Sequence, residues 1–246
     1  MMIRLNILIS NDDGIHAPGI IRLAQAAKQF GNVTVVAPAG QCSAMSQKLT
    51  IYSEMEVLPA KDFPVEGVCA WSVSGSPADC IKVALEYLSV KPDVIFSGIN
   101  NGYNTGFDIA YSGTCGACFE AIFNGIPAIA FSTSDEEENP IMESNLLALA
   151  EEAMHTPIEK NAFWNINFPN CSPAAFKGIL RGTLPAKMQL YKDNMVEKHY
   201  PDGRVTIAQC GIPSSPEDAP EGTDVHAVLN GYISFGKVFS GILRDE

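Results

Sequence analysis

The stretch Ile7-Leu8-Ile9-Ser10-Asn11-Asp12-Asp13-Gly14-Ile15-His16-Ala17-Pro18-Gly19 decides the reading of this chain. An apolar strand runs directly into two adjacent carboxylates and a glycine. In parallel α/β sheets, ligands bind in the crevice beyond the carboxyl ends of the strands. Two acids placed there repel each other unless a cation sits between them, and a bound divalent metal is the simplest such cation. Gly14 frees the backbone to bend, so that Asp12 and Asp13, which would face opposite ways on a strand, can approach one ion. Asn-Asp-Asp-Gly is also ordinary turn chemistry. Its position immediately after the first strand favours a ligand site.

Working outward, the order of elements repeats strand and helix. Ile3–Ser10 reads as a strand. Gly19–Phe30 reads as a helix, with Ile20, Leu23, Ala24, Ala27 and Phe30 on one face, and Gly31 ends it. Val33–Ala37 is a second strand stopped by Pro38, and Cys69–Val73 a third. Ser76 and Pro77 are an N-cap and a first helical residue, opening a helix to about Leu88. Pro92–Phe96 is a strand, Cys115–Asn124 a helix, Ala128–Ser132 a strand, Ile141–His155 a helix and Trp164–Phe168 a strand. This alternation predicts an α/β fold with a mostly parallel sheet and helices on both faces. After Pro169 the character changes to prolines, glycines and polar residues. The expected division is a single domain over 1–246, with a core of about 1–169 and 224–234. A C-terminal β-rich extended arm of about 170–223 serves oligomerisation, and Asp224–Ser234 is a last strand.

Composition narrows the function. At 246 residues and 46% hydrophobic, the chain can bury a sizeable core. No apolar run reaches the ~18–20 residues of a membrane span, and no signal-peptide pattern opens the chain, so a cytoplasmic protein with no membrane partner is expected. A net charge of −12 opposes any stable nucleic acid complex. Part of that charge is the run Asp135–Glu138, expected as an exposed loop. Seven cysteines, odd in number and scattered, do not suggest a disulfide framework. Cys115-Gly116-Ala117-Cys118 has redox spacing, which two small residues packed one helical turn apart would also produce.

Three loops follow strands on the same sheet edge. They carry Asp12 and Asp13, then Ser43 and Ser46, then Asn100 and Asn101. Carboxylates, hydroxyls and amide oxygens are hard donors that suit Mg²⁺, Mn²⁺ or Ca²⁺ better than zinc. The four histidines form no ligand-spaced pair, and His16 reads as a surface or supporting residue. Ser112-Gly113-Thr114 precedes a helix. It reads as an ordinary cap or, beside a metal loop, as a phosphate cradle of backbone N–H groups and hydroxyls.

Asn11–Gly19 resembles the opening signature of the stationary-phase survival protein SurE family. The resemblance continues through Ser74-Gly75-Ser76-Pro77-Ala78-Asp79-Cys80, Ser97–Gly102 and Tyr111–Thr114, with later echoes at Asn165–Pro169 and Gly222–Asp224. It implies a Rossmann-like three-layer core and a metal-dependent 5'/3'-nucleotidase that hydrolyses nucleoside monophosphates to nucleoside and phosphate, assembled as a homodimer or homotetramer. It implies one divalent ion per subunit, Mg²⁺ or Mn²⁺, on Asp12, Asp13, Ser43 and Asn100. Asn101, Ser112, Gly113 and Thr114 fall where the family holds phosphate, with Ser46 added from the second loop. Asp12, Asn101, Ser112 and Thr114 form the catalytic set, with Asp12 a candidate general base. Two stretches depart from the family. The loop Ala39-Gly40-Gln41-Cys42 carries no charge, and Ser234-Phe235-Gly236-Lys237-Val238 replaces Ser-x-Thr-Pro-Leu.

Rival readings are testable on the same residues. A dinucleotide-binding turn would need glycines where two acids stand. A haloacid-dehalogenase-type phosphatase needs a second acid two residues after the first, where Gly14 or Ile15 stands. A thiol oxidoreductase using Cys115 and Cys118 requires an exposed thiol of low pKa. A non-catalytic nucleotide- or metal-binding protein would bind without releasing phosphate.

Overall fold

The computed structural model describes residues 4–134 and 139–243. The acidic run Asp135–Glu138 and the first three residues lie outside the described residues. The elements are β1 (Leu5–Ser10), α1 (Pro18–Ala27), β2 (Gly31–Pro38), β3 (Val57–Pro59), β4 (Cys69–Val73), α2 (Pro77–Lys82), β5 (Val94–Asn101), α3 (Gly113–Phe123), β6 (Ala128–Thr133), α4 (Pro140–His155) and β7 (Ala162–Asn167). A C-terminal part follows with β8 (Gly178–Thr183), β9 (Tyr191–Lys192), β10 (Met195–His199), β11 (Val205–Gln209), β12 (Ile212–Pro213), α5 (Asp224–Leu229) and β13 (Tyr232–Phe239).

The main sheet has the order β3-β4-β2-β1-β5-β6-β7-β13-β8. The pairs β1/β2, β1/β5, β2/β4, β5/β6 and β6/β7 are parallel, while β3/β4 and β13/β7 are antiparallel. Alternate side chains along each strand reach opposite faces. Ile7, Ile9, Val33, Val35, Val94 and Phe96 thus join a core with Ile20, Leu23, Ile141 and Leu149 of α1 and α4. Leu8, Val36 and Ile95 join a second core with Cys80 and Ile81 of α2 and Ala117 and Cys118 of α3. These two cores are the interfaces of the three-layer α/β arrangement expected from the alternation. Each such aliphatic side chain contributes roughly 1.5–3 kcal/mol by leaving water. No described helix is long and apolar enough to cross a membrane.

Capping chemistry sets the helix starts. Ser76 accepts from the Asp79 N–H while the Asp79 carboxylate accepts from the Ser76 N–H, a reciprocal capping box. The helix expected to reach Leu88 is α-helical to Lys82 and continues as a wider π turn over Val83–Tyr87. Asn139 caps α4 by accepting from the N–H groups of Ile141 and Met142. Gly31, expected as a helix stop, instead starts β2, because α1 already ends at Ala27.

Two boundaries of the C-terminal part differ from expectation. Residues 224–234 are not one strand. Thr223 caps a short helix by accepting from the His226 N–H, and Gly231, at φ +80°, turns the chain into β13. The arm also does not begin at residue 170. β8 pairs in parallel with β13 and is the edge strand of the main sheet, so the core includes 178–183 and runs on to Phe239. The register of this pair shifts between Phe235 and Gly236, where a Cβ on Gly236 would lie 2.2 Å from the Thr183 carbonyl oxygen. The Phe-Gly-Lys variation near the C-terminus is thus tied to close approach of β8.

Candidate metal and phosphate site

The chain runs β1–β2–β4 to one side of β1 and β5–β6–β7 to the other. β1 and β5 are therefore the adjacent strands from which the order diverges, and a crevice opens at their carboxyl ends. β1 delivers Asp12 and Asp13 there, and β5 ends in Asn100 and Asn101.

Asn11 shapes the first loop. Its amide donates to the Gly14 carbonyl at 2.9 Å and accepts from the Gly14 N–H at 3.2 Å. Gly14 sits at φ +102°, a left-handed conformation that side-chain-bearing residues rarely adopt. Gly19 ends the signature because α1 starts against β5: a Cβ there would be 2.0 Å from the Ile99 carbonyl oxygen. The second loop is tied down by the Cys42 N–H donating to the Asp12 carbonyl at 2.6 Å. Further along it, the Thr50 N–H and hydroxyl donate to Asp79. Asp79 is thus a buried anchor for the loop bearing Ser43. The Ser-x-x-Asp cap pattern is the signal that marks it.

Asp12 is 4% exposed, and Asp13 is half-buried. Asp12 Oδ1 accepts from the Thr114 hydroxyl at 2.6 Å, and Asp13 Oδ2 accepts from the Asn101 N–H at 2.9 Å. Among the described residues, no lysine, arginine or histidine pairs with either acid. Burial pushes the Asp12 carboxyl up to about 6, the Thr114 hydroxyl opposes that rise, and the Asp13 charge adds to it. Burial likewise raises Asp13. Two close acids raised by burial and mutual repulsion are what a cation placed between them would stabilise.

Asp12, Ser43, Asn100, Asn101 and Ser112 line one open cleft of 620 Å³. Asp13 lines an adjoining cavity of 340 Å³ together with Arg22, and Asn100 and Asn101 border both. The Asn100 amide nitrogen donates to the Gly102 carbonyl at 2.6 Å, which leaves its side-chain oxygen as the free donor atom. Two carboxylates plus neutral oxygens make a hard-donor set. No group of three or more His, Cys, Asp and Glu is found among the described residues, in line with such a set. The residues therefore fit a divalent ion of the Mg²⁺ or Mn²⁺ kind.

Three expected phosphate contacts are placed differently. Thr114 is completely buried and its hydroxyl is engaged by Asp12, so it positions the acid and does not face the cleft. Ser46 donates its hydroxyl to the Ala110 carbonyl at 2.8 Å and its N–H to the Tyr111 carbonyl at 2.8 Å, which pins the loop behind the site. Gly113 lies against the acid: a Cβ there would be 2.8 Å from the Asp12 Cβ. Ser112 remains at the cleft, with its hydroxyl also capping α3 by accepting from the Cys115 N–H at 3.0 Å. His16 is exposed, 4.0 Å from Asp62.

The thiol reading fails on burial. Cys115 and Cys118 are buried, and burial pushes the Cys115 thiol up to about 12 and Cys118 well above its ordinary value. A redox cysteine needs the opposite shift and access. Gly116, between them, has a packing role: a Cβ there would lie 2.1 Å from the Ser46 carbonyl oxygen.

Residues 7–190 match the family model described as Survival protein SurE. This chain belongs to the SurE family. The 5'-nucleotidase SurE of Caldanaerobacter subterraneus subsp. tengcongensis is 36% identical over 237 residues, covering 94% of this chain and 90% of that protein. The crystal structure of the SurE protein from Aquifex aeolicus superposes with a TM-score of 0.80 at 31% identity, covering 95% of this chain and 93% of that one. The SurE match takes in all four loops of the site and ends within the cleft's C-terminal wall, which Gln189 to Met195 form.

Proposed function

We propose that this SurE-family chain is a metal-dependent nucleotidase that hydrolyses nucleoside monophosphates to nucleoside and phosphate. The observation that carries the reading is the meeting of Asp12, Ser43 and Asn100 at the β1/β5 crevice, where among the described residues no lysine, arginine or histidine forms an ion pair with Asp12 or Asp13. Asp12, Asp13, Ser43 and Asn100 would hold one divalent ion. Such an ion, when bound, supplies Lewis-acid polarisation of a phosphate oxygen and lowers the pKa of a water. Thr114 fixes Asp12 through Oδ1, leaving Oδ2 to face an ion or a proton. The Asn101 N–H fixes Asp13, so its own side chain is available to orient the phosphoryl group. Ser112 adds a hydroxyl from the start of α3. The test is release of inorganic phosphate from a nucleotide panel with and without Mg²⁺ or Mn²⁺. Metal-dependent release from monophosphates is expected. Nucleotide binding without release would establish the non-catalytic reading instead.

The arm, narrowed to about 184–223, is proposed to join subunits into a homodimer or homotetramer. Every residue of strands β10 and β11 is exposed, including Met195, Val196, Val205 and Ile207. The register puts Met195, Val205 and Ile207 on one face of the hairpin, an exposed apolar stripe of the kind that marks a protein contact. Light scattering of the intact chain tests this, and a monomer at micromolar concentration refutes it.

A further inference from the structure

The cleft that holds Asp12 is far larger than a phosphate needs, and its distal wall comes from the arm. Gln189, Tyr191, Asp193 and Met195 all line it. They come from the short strand β9 and the residues that flank it, up to the first residue of β10. The intervening Leu190 is 3% exposed and packs with Ala186, Ala219, Val225 and Val228. Leu190 thus anchors the segment in a small apolar core, while Lys192 lies at the surface and pairs with Asp218 at 2.8 Å. The segment is held there in several ways. The Phe107 N–H donates to the Met188 carbonyl at 3.0 Å. Asp224 accepts from the Gly106 and Ala186 N–H groups, at 2.9 Å each.

The chemistry of this wall is specific. It presents a phenol ring, a thioether, an amide and a carboxylate. Tyr111, beside the phosphate-binding Ser112, lines the same cleft. Tyr191 and Tyr111 are 52% and 59% exposed, unusual for two aromatic rings in one concavity unless something stacks on them. The Gln189 side chain makes no hydrogen bond among the described residues, so its amide is free for a ligand. Among the described residues no lysine, arginine or histidine lines the cleft, while Asp108 and Asp193 do.

We propose that Gln189, Tyr191 and Asp193, with Tyr111, form the nucleoside subsite. Tyr191 stacks on the base, Gln189 hydrogen-bonds its edge, and the acidic surroundings favour an uncharged organic group carrying a single phosphate. The inference rests on the hydrolytic reading above. A flat aromatic ring with hydrogen-bonding edges is what such a wall recognises, and a second phosphate would meet carboxylates.

The experiment compares kcat/KM for a nucleoside monophosphate with kcat/KM for p-nitrophenyl phosphate in the intact, Mn²⁺-loaded protein. Stacking on one aromatic ring corresponds to roughly 5- to 150-fold. Tyr191→Ala is expected to lower the ratio of the two by about tenfold, and Tyr191→Phe to retain it. Gln189→Ala is expected to lower it several-fold. Free nucleoside should inhibit p-nitrophenyl phosphate hydrolysis competitively in the wild type, more weakly in Tyr191→Ala. A ratio within twofold of wild type in both Tyr191→Ala and Gln189→Ala overturns the subsite. If the wild type hydrolyses neither ester, the nucleotidase reading fails. Calorimetry with free nucleoside then still decides the subsite: binding weakened by Tyr191→Ala supports it, and binding equal in both proteins, or absent, refutes it.

Discussion

Replacing Asp12 by Asn should make the metal-free protein more stable and the metal-bound protein less so. Asp12 is almost completely buried, and its carboxyl is pushed from an ordinary 3.8 to about 6. At 1.36 kcal/mol per tenfold, ionising it in the folded chain costs about 3 kcal/mol relative to the unfolded chain. The sign follows from linkage. The folded pKa lies above the unfolded one, so this stability is complete below pH 3.8 and is lost as pH rises through about 6. Asparagine has the same shape, can accept the Thr114 hydroxyl, and carries no charge. In EDTA at pH 8, Asp12→Asn should therefore melt higher. For a chain of this length, ~3 kcal/mol corresponds to roughly 6–12 °C. At pH 4 the gap should close to within about 2 °C, by the same linkage. A divalent ion at 1,000 times its Kd adds about 4.1 kcal/mol to the protein that binds it. That exceeds ~3 kcal/mol, so saturating Mn²⁺ should reverse the order, with the wild type melting higher and only the wild type active. Differential scanning fluorimetry across pH, with and without Mn²⁺, reads all of this. An Asp12→Asn variant that melts at or below the wild type in EDTA at pH 8 would refute the reasoning, because the carboxylate would then be held by compensating groups and the site would be structural.

Four further outcomes are expected. Thr114→Val removes the hydroxyl that holds Asp12 Oδ1 and should weaken divalent-ion binding by roughly 10- to 100-fold, read by calorimetry; unchanged metal affinity would return Thr114 to the phosphate. Gly19→Ala would bring a Cβ to 2.0 Å from the Ile99 carbonyl oxygen and should destabilise the fold by at least ~2 kcal/mol in urea unfolding. In the native protein a thiol reagent should label exposed Cys69 and Cys210 within minutes and leave Cys115 and Cys118 unmodified until unfolding; rapid labelling of Cys115 would revive the redox reading. Deleting 184–213 removes the hairpin and the distal cleft wall together, and should produce monomers by light scattering while raising KM for nucleotides.

Local sequence determined the elements whose causes are local. The apolar strand before Asp12, the Ser76-Pro77 start of α2 and the Ser112 cap of α3 all follow from periodicity and side-chain-to-backbone chemistry within three or four residues. The alternating order then implied a parallel sheet, and with it the carboxyl-end edge where Asp12, Asp13 and Asn100 would gather. The two glycines of the opening signature were legible only as conformational freedom. That Gly19 is needed for contact with Ile99 depends on a strand some eighty residues away. The same limit explains Thr114 and Ser46. As hydroxyls beside a phosphate loop they read as ligands, yet which way a hydroxyl points is set by what packs against it, here Asp12 and the Ala110 carbonyl. Residues 224–234 read as a strand from their apolar content, but the Thr223 cap and Gly231 resolve them into a short helix and a turn. The arm was readable as unusual and no further. Which of its residues line a cleft is set by contacts far along the chain, Leu190 with Val225 and Val228 and Tyr191 with Pro213. Burial and partnership across long sequence separations come from the tertiary fold alone, and they bring Asp12, Ser43, Asn100, Ser112 and Tyr191 to one cleft.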